Sequence, residues 1–192
     1  MLQPALVIVS LWAAFALSWL LAALWSATTE KRLGTKRELS YRLMLVAGAV
    51  VLAIPAHGYR GPLRLWHVTR SEAWLCCALI GVGIAFSWWA RVHLGKLWSG
   101  AIVTKSAHRV VDTGPYALVR HPIYTGMLLA VYATTAAKGT VPGVIGAIIV
   151  TLGLWMKAAL EERWLSAELD AGEYARYRQH IPMLIPFGPR SS

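Results

Sequence analysis

A short stretch in the second half of the chain places a cation, an imidazole and a phenol at the start of an apolar segment. The residues are Arg120, His121, Pro122 and Tyr124, and they follow Gly114-Pro115-Tyr116. Proline is well tolerated in the first turn of a helix, so we predict that a helix begins at Pro122. Its free N–H groups would then form an anion site. Such residues also anchor proteins at membrane boundaries, and the stretch alone favours neither interpretation.

A second polar cluster ends the next apolar run and consists of Lys157, Glu161 and Glu162. Lys157 and Glu161 are four residues apart and share one helix face, whereas Glu162 points about 100° away. An ordinary ion pair at a solvated helix end would have the same spacing. Lys157 directly follows apolar residues, however, and an ionisable group within a membrane is a candidate functional residue. If both clusters lie on the same side of a membrane, they would form a site for a polar cofactor and a lipid-like substrate.

The composition is that of an integral membrane protein. The 192 residues are 57% hydrophobic and 15% charged, and the apolar residues form long runs. Five of these runs are candidate membrane helices, at residues 4–27, 41–57, 73–90, 123–137 and 141–160. The first is uncharged and too long for a signal-peptide core, so we expect it to be retained. We predict an all-α polytopic fold in one domain, 1–192, with three membrane helices in 1–90 and a cofactor-binding half in 91–192.

Lysine and arginine divide unevenly between the two sides of these segments. Fifteen lie on one side, and the four on the other are Arg60, Arg64, Arg70 and Lys138. The positive-inside rule then places both clusters and the C-terminus in the cytoplasm and the N-terminus outside. The net charge of +10 is explained by loops that face anionic lipid, and no nucleic-acid-binding motif is present. Cys76 and Cys77 are interpreted as buried apolar residues, because no metal-ligand spacing accompanies them.

The glycines predict where helices approach closely. Gly81 and Gly83 lack the third glycine of a dinucleotide-binding loop and are interpreted as helix-packing residues. Gly139, Gly143 and Gly146 surround a turn with Pro142. They are expected to bring the fourth and fifth segments together as antiparallel neighbours.

Four motifs follow one another in the second half of the chain. They are Gly114-Pro115-Tyr116, Arg120-His121-Pro122-x-Tyr124-x-Gly126, Glu161-Glu162-x-x-Leu165, and Tyr174-x-x-Tyr177 ahead of Pro182-x-x-x-Pro186. In this order they resemble the isoprenylcysteine carboxyl methyltransferase family, including its bacterial and archaeal members. The resemblance implies S-adenosylmethionine as methyl donor, bound at the cytoplasmic face without a soluble Rossmann domain, and S-adenosylhomocysteine as product. It also implies a prokaryotic inner membrane as the location.

The resemblance implies roles for individual residues. Cofactor contacts map onto His108, Arg109, Val110, Val111, Tyr116, His121, Pro122, Ile123, Tyr124 and Glu161. Arg120 is added as a cation that holds the methionine carboxylate together with His121. Lys157 is assigned to orient the acceptor, in a position where the animal enzyme has arginine. A carboxylate acceptor needs no general base, whereas for an amine or phenol His121 or Glu161 could serve.

The remaining expectations concern the tail, the acceptor and alternative functions. Residues 173–177 predict an amphipathic helix that leads into a Pro-bounded apolar strip, either lying on the membrane or closing the pocket as a lid. His180 stands where the family usually has a lysine or arginine.

The expected partners are a lipophilic or prenylated acceptor, most simply an isoprenylcysteine carboxylate, and membrane lipid. No obligate protein partner is expected. Alternatives are a phospholipid N-methyltransferase, a membrane reductase of the sterol-reductase type, and a non-enzymatic scaffold.

Overall fold

The computed structural model describes residues 3–24, 29–32, 35–56, 61–99, 103–105, 110–168 and 171–189. Within these ranges the chain is predominantly helical. The helices are α1 (Pro4–Ala23), α2 (Thr35–Ala53), α3 (Arg70–Leu94), α4 (Pro122–Lys138), α5 (Val141–Glu168) and the short α6 (Ala171–His180). One short antiparallel ladder joins β1 (Thr29–Arg32) to β2 (Val103–Lys105). Gly114–Ala117 form a single 3₁₀ turn.

Each of the five apolar segments corresponds to a long helix. Within the described ranges, three helices are long and apolar enough to cross a membrane, over Pro4–Ala22, Arg70–Leu94 and Val141–Ala167. With 17 residues, α4 reaches only about 26 Å, less than a hydrocarbon core of about 30 Å. Charged side chains occupy the first two turns of α2, which begins six residues before the predicted segment. A count of five spans therefore remains a prediction.

The apolar surface of the helices supports a membrane location. Leu17, Leu20 and Leu21 on α1 are each about two-thirds exposed, at 66%, 69% and 66%. A soluble protein rarely exposes such a continuous apolar surface, whereas lipid tails accommodate it. Together with the three long apolar helices, this surface identifies an integral membrane protein.

Two predicted chain features determine how α4 begins and ends. The helix starts at Pro122, with His121 as its N-cap residue, as the sequence predicts. It ends at Gly139, which adopts the left-handed conformation (φ 59°, ψ 35°) that glycine tolerates without steric cost. Because α5 begins at Val141, the predicted tight turn between the two helices is confirmed.

The glycines predicted to pack helices have different outcomes. A methyl group on Gly143 of α5 would lie 3.8 Å from Thr135 Cγ2 on α4, which is the predicted helix pair. A methyl group on Gly83 would lie 2.5 Å from the carbonyl oxygen of Gly126, so these residues let the backbones of α3 and α4 touch. Likewise, a methyl on Gly146 would lie 3.0 Å from the carbonyl oxygen of Gly48 on α2. The prediction that Gly146 joins the fourth and fifth segments is therefore wrong, because its open face meets α2. The helix-packing role is confirmed for Gly83 but wrong for Gly81, which faces open space.

Side-chain hydrogen bonds hold α4 and α5 together beside their turn. There Thr135 Oγ1 donates to the carbonyl oxygen of Gly143 at 3.3 Å. Lys138, at the same end, donates to the carbonyl oxygens of Leu52 and Ile54 at the end of α2. At the opposite end, Arg91 near the end of α3 donates to the carbonyl oxygen of Ala22 at 2.8 Å. The start of α4 and the ends of α3 and α5 consequently lie at one end of the molecule.

Candidate active site

The two polar clusters of the sequence are in direct contact. Tyr124 Oη donates a hydrogen bond to Glu161 Oε2 at 2.6 Å. Arg120 Nε donates to Glu162 Oε1 at 2.6 Å. These two contacts join the start of α4 to the last turns of α5, because Pro122 sets where α4 begins and the 28-residue length of α5 returns the chain to the same end.

Glu161 is the centre of the first of two side-chain groups. Its carboxylate lies 3.5 Å from His121 Nδ1 and 3.6 Å from Lys157 Nζ, in addition to its bond with Tyr124. The rings of His121 and Tyr124 stack with centroids 5.3 Å apart, and Lys157 Nζ lies 5.2 Å from the Tyr124 ring centroid. The three residues predicted to be catalytic, Lys157, Glu161 and His121, are thus brought together with Tyr124 in one partly buried group.

Glu162 is the centre of the second group, which the sequence did not reveal. Arg120 binds it through two nitrogens, at 2.6 Å and 3.1 Å, and His121 Nε2 lies 3.2 Å from it. Arg178 Nε from α6 lies 3.5 Å from its other oxygen. Glu162 and Arg120 are only 7% and 5% exposed. The adjacent glutamates therefore share His121 but otherwise have different partners, as the 100° turn between neighbours on a helix requires.

In this structure the Arg120 guanidinium donates hydrogen bonds to oxygen atoms of the protein itself. Beyond its two bonds to Glu162, its Nη1 donates to the carbonyl oxygens of Arg178 and Ile181. A guanidinium has five N–H donors in a fixed planar arrangement, and all three nitrogens are used here. Cofactor binding by Arg120 stays a prediction, and the geometry assigns this side chain to holding α5 and the tail against α4.

The tail bonds to the backbone at the start of α4. The N–H groups of Arg120 and His121 donate to the carbonyl oxygens of Pro182 and Met183 at 2.9 Å and 3.1 Å. Thr125 Oγ1 donates to the carbonyl oxygen of Leu184 at 2.6 Å. The tail carbonyl oxygens thus accept the N–H groups of the two residues that precede Pro122, and an anion site at the first turn of α4 stays a prediction. Carbonyl groups occur in every residue, so the sequence carries no signal for this pairing.

The other predicted cofactor residues lie around these groups. Tyr116 is buried, stacks on His93 with ring centroids 6.3 Å apart, and accepts a bond from Tyr177 Oη at its carbonyl oxygen at 2.8 Å. Pro122 and Ile123 are buried at the start of α4. Val110 and Val111 are half-buried. His108 and Arg109 lie outside the described residues.

His121 lies between the two carboxylates, each of which faces one ring nitrogen. Burial disfavours the charged form of the ring, but the hydrogen bonds to Glu161 and Glu162 outweigh burial and raise the pKa of His121. An imidazolium that donates from both nitrogens has no free lone pair. Of the two bases left open by the sequence, His121 is therefore the poorer candidate.

The raised pKa of His121 predicts how stability depends on pH. The stabilisation from its proton is fully present below the unfolded-state pKa of about 6.5 and is lost as pH rises through the higher folded-state pKa. We expect the difference in melting temperature between the wild type and His121→Gln to be largest at about pH 6 and smaller at about pH 9. Thermal unfolding in detergent measures this difference, with the exposed His180→Gln as control. A difference that grows with pH would contradict the assigned proton.

Sequence reasoning missed one aromatic residue beside this group. The ring of Tyr41 on α2 is buried, and its centroid lies 5.9 Å from Lys157 Nζ. Residues 1–90 carried no motif, so no signal singled out Tyr41 among the membrane-helix residues. It adds α2 to the elements that surround the site.

The fold and site define a helical membrane protein with a carboxylate-rich polar group at one end. Residues 74–167 match the family model of the isoprenylcysteine carboxyl methyltransferase (ICMT) family. The match covers the segment from α3 to the end of α5, which includes the Arg120–Tyr124 stretch and both glutamates. Over this segment the chain matches the family that its four motifs predict.

Proteins similar to this chain are named for different activities. Methanethiol S-methyltransferase 1 of Bradyrhizobium diazoefficiens is 39% identical over 140 residues, which cover 66% of this chain and 47% of the relative. Protein-S-isoprenylcysteine O-methyltransferase of Schizosaccharomyces pombe is 29% identical over 106 residues, 52% of this chain and 43% of the relative. Cobalt-zinc-cadmium resistance protein CzcN of Cupriavidus metallidurans is 26% identical over 115 residues, 58% and 49% of the two chains. The alignments span less than half the length of each of these relatives.

Proposed function

We propose that this protein is a membrane methyltransferase that transfers the methyl group of S-adenosylmethionine to an anionic acceptor carrying an apolar group. The observation that carries the proposal is the joined group of Glu161, Tyr124, His121 and Lys157 at the family's motif positions. A carboxylate beside aromatic rings suits a ligand that carries an amino group and a positively charged sulfur. These residues fit S-adenosylmethionine, which supplies a methyl group activated for displacement.

The charges of the site favour an acceptor that is already ionised. Both ring nitrogens of His121 face carboxylates, which favours a protonated ring without a free lone pair. Glu161 accepts from Tyr124 and keeps lone pairs for a base, but an ionised acceptor requires none. Lys157 would repel a cationic amine and attract an anion. In the transfer, an anionic atom of the acceptor bonds to the methyl carbon as the carbon–sulfur bond breaks. The bonding electron pair stays on sulfur and no proton moves. This argument favours a carboxylate or thiolate over the amine of a phospholipid.

The first candidate acceptor is an isoprenylcysteine-like carboxylate. A carboxylate is ionised at neutral pH and needs only positioning and exclusion of water. The 39% identity to a relative named methanethiol S-methyltransferase favours a thiol as second candidate. A thiol ionises near pH 8.5, and the Lys157 ammonium would favour its thiolate.

The proposal includes an orientation and a place in the membrane. The site end carries most of the basic residues, so we place it and the C-terminus in the cytoplasm of a prokaryotic cell, with α1 to α5 as five spans and a pocket formed by the C-terminal half. The acceptor's apolar part would enter from the bilayer, and membrane lipid is the expected surrounding partner.

Transfer of a labelled methyl group tests the proposal. The purified protein in lipid nanodiscs is incubated with methyl-labelled S-adenosylmethionine and, separately, with N-acetyl-S-farnesylcysteine, methanethiol or phosphatidylethanolamine vesicles. We expect label in the farnesylcysteine as a base-labile methyl ester, and label in methanethiol would support the thiol candidate. Label confined to phosphatidylethanolamine would contradict an anionic acceptor, and no labelled product would contradict methyl transfer to these acceptors.

Lys157 is expected to act on the acceptor and not on the cofactor. It lies one helical turn deeper on α5 than Glu161, toward the bilayer. We expect Lys157→Met to leave the affinity for S-adenosylhomocysteine within a few-fold and to lower methyl transfer about tenfold, because one interaction with a charged acceptor is lost. Calorimetry paired with turnover measures both, and Lys157→Arg, which keeps the cation, should retain activity. Loss of cofactor binding, or unchanged turnover, in Lys157→Met would refute this role.

A further inference from the structure

Tyr41 is almost completely buried and lies on α2, outside the segment matched by the family model. Its residue exposure is 1%. The side chain packs against Leu45 on its own helix and against Met156, Leu160 and Trp164 on α5. This face of α5 is continuous with the one that carries Lys157 and Glu161, since 157, 160, 161 and 164 are three or four residues apart.

The hydroxyl of Tyr41 requires an explanation. Among the described residues, no atom forms a hydrogen bond with its buried oxygen. The neighbouring Arg42 guanidinium interacts with the Tyr41 oxygen outside hydrogen-bond geometry and donates its hydrogen bond to Glu38 at 2.6 Å. A buried hydroxyl without a partner is costly, and most buried polar groups in proteins are satisfied. A phenylalanine would fill the same space without that cost, so the hydroxyl suggests a partner that arrives from outside the chain.

Tyr41 and Tyr124 lie near the same ammonium group. The Tyr41 and Tyr124 ring centroids are 5.9 Å and 5.2 Å from Lys157 Nζ. Both distances are within the range of an attractive cation–π contact. The Glu161 carboxylate is 3.6 Å from the same nitrogen, beyond hydrogen-bond distance. An ammonium has three donors, so this arrangement leaves Lys157 able to bind an additional acceptor atom.

We propose that Tyr41 is a further residue of the acceptor site. Its ring positions the Lys157 ammonium, and its hydroxyl donates a hydrogen bond to the anionic head of the acceptor. The phenol keeps its proton throughout, so it binds and orients the acceptor without entering the chemistry of transfer. The ligand class is a carboxylate or thiolate attached to an apolar group. This inference rests on the proposed function and extends the site from α4 and α5 to α2.

Two substitutions separate the ring from the hydroxyl. Tyr41→Phe removes only the hydroxyl and Tyr41→Leu removes the ring as well. Tyr132→Phe is the matched control, because its hydroxyl lies 2.9 Å from Thr151 Oγ1 on an exposed face. Each variant is measured in nanodiscs for S-adenosylhomocysteine affinity, melting temperature, and kcat and KM with N-acetyl-S-farnesylcysteine and with methanethiol.

We expect Tyr41→Phe to raise KM for the accepted probe about tenfold, with cofactor affinity within twofold of the wild type. Its melting temperature should be equal or higher, since the variant removes a buried polar atom without a partner. Tyr41→Leu should lose more activity, because Lys157 also loses one aromatic contact. In Lys157→Met the further effect of Tyr41→Phe should be smaller than in the wild type, since both side chains bind the same head group.

The outcomes distinguish this inference from the proposed function. Unchanged KM in Tyr41→Phe, with an active wild type, would overturn the role of Tyr41 and leave the methyltransferase proposal standing. A lower melting temperature with unchanged KM would assign Tyr41 to structure alone and would also overturn the inference. A wild type that transfers no methyl group to either probe would overturn both.

Discussion

Replacing Glu162 with alanine is expected to lower the free energy of unfolding by about 3–5 kcal/mol, the range found when one partner of a buried ion pair is removed. The reason is that Arg120, itself 5% exposed, would lose the carboxylate that accepts from two of its nitrogens. His121 and Arg178 would lose the same acceptor. Among the contacts described above, no other single site residue is the partner of three cationic side chains. Equilibrium unfolding in mixed micelles measures the effect.

The tail provides a second measurement for the Glu162 substitution. Arg178 follows Tyr174 and Tyr177 on α6, and Arg120 donates to two carbonyl oxygens of this region. When Arg120 is no longer held, tryptic cleavage after Arg176 and Arg178 should accelerate. Glu72→Gln is the matched control, because glutamine can keep the hydrogen bond that this exposed side chain accepts from the Thr69 N–H at the start of α3. Both measurements should stay close to those of the wild type. Unfolding and cleavage that stay unchanged in Glu162→Ala would show that Arg120 is stabilised in another way.

Replacing Glu161 with glutamine is expected to lower the affinity for S-adenosylhomocysteine about ten- to a hundredfold. A hydrogen bond to a charged group contributes about 1.5–3 kcal/mol, which corresponds to that change in affinity. Glutamine keeps the size of the side chain but removes the charge that faces Lys157 and His121 at 3.6 Å and 3.5 Å. Because Glu161 is less enclosed than Glu162, the fold should be retained. Calorimetry measures the affinity.

The two glutamates therefore have separable expected effects. Substitution at Glu161 should change ligand affinity with little change in unfolding, and substitution at Glu162 should change unfolding first. In the Glu161→Gln experiment, Glu72→Gln again serves as the control for loss of a carboxylate elsewhere. Affinity within twofold of the wild type in Glu161→Gln would mean that this carboxylate does not face the cofactor.

Features encoded by local chemistry were predictable from the sequence. Pro122 fixes the start of α4, because its ring restricts φ and it lacks an N–H group that a helix interior needs. Gly139 ends the helix, because it adopts a left-handed conformation at little cost. The four-residue spacing of Lys157 and Glu161 placed them on one face, and the structure has them 3.6 Å apart.

Features that depend on which surfaces meet in space were not predictable. Gly146 packs against α2 and not α4, because a glycine allows close approach on its open side without specifying the partner. The role of Glu162 follows from Arg120 and Arg178, which lie 42 residues before it and 16 after it in the chain. The backbone bonds between the tail and α4 use carbonyl groups that every residue has. Tyr41 was missed for a related reason, since its neighbours on α5 are more than 100 residues away.

The central claim is that the group around Glu161 binds S-adenosylmethionine and its product. Calorimetric titration of the purified wild-type protein in lipid nanodiscs with S-adenosylhomocysteine tests it most directly, because binding is measured without knowledge of the acceptor. We predict saturable heat with one site per chain, accompanied by a rise in melting temperature as ligand is added. No heat and no rise in melting temperature at millimolar ligand would contradict the methyltransferase proposal.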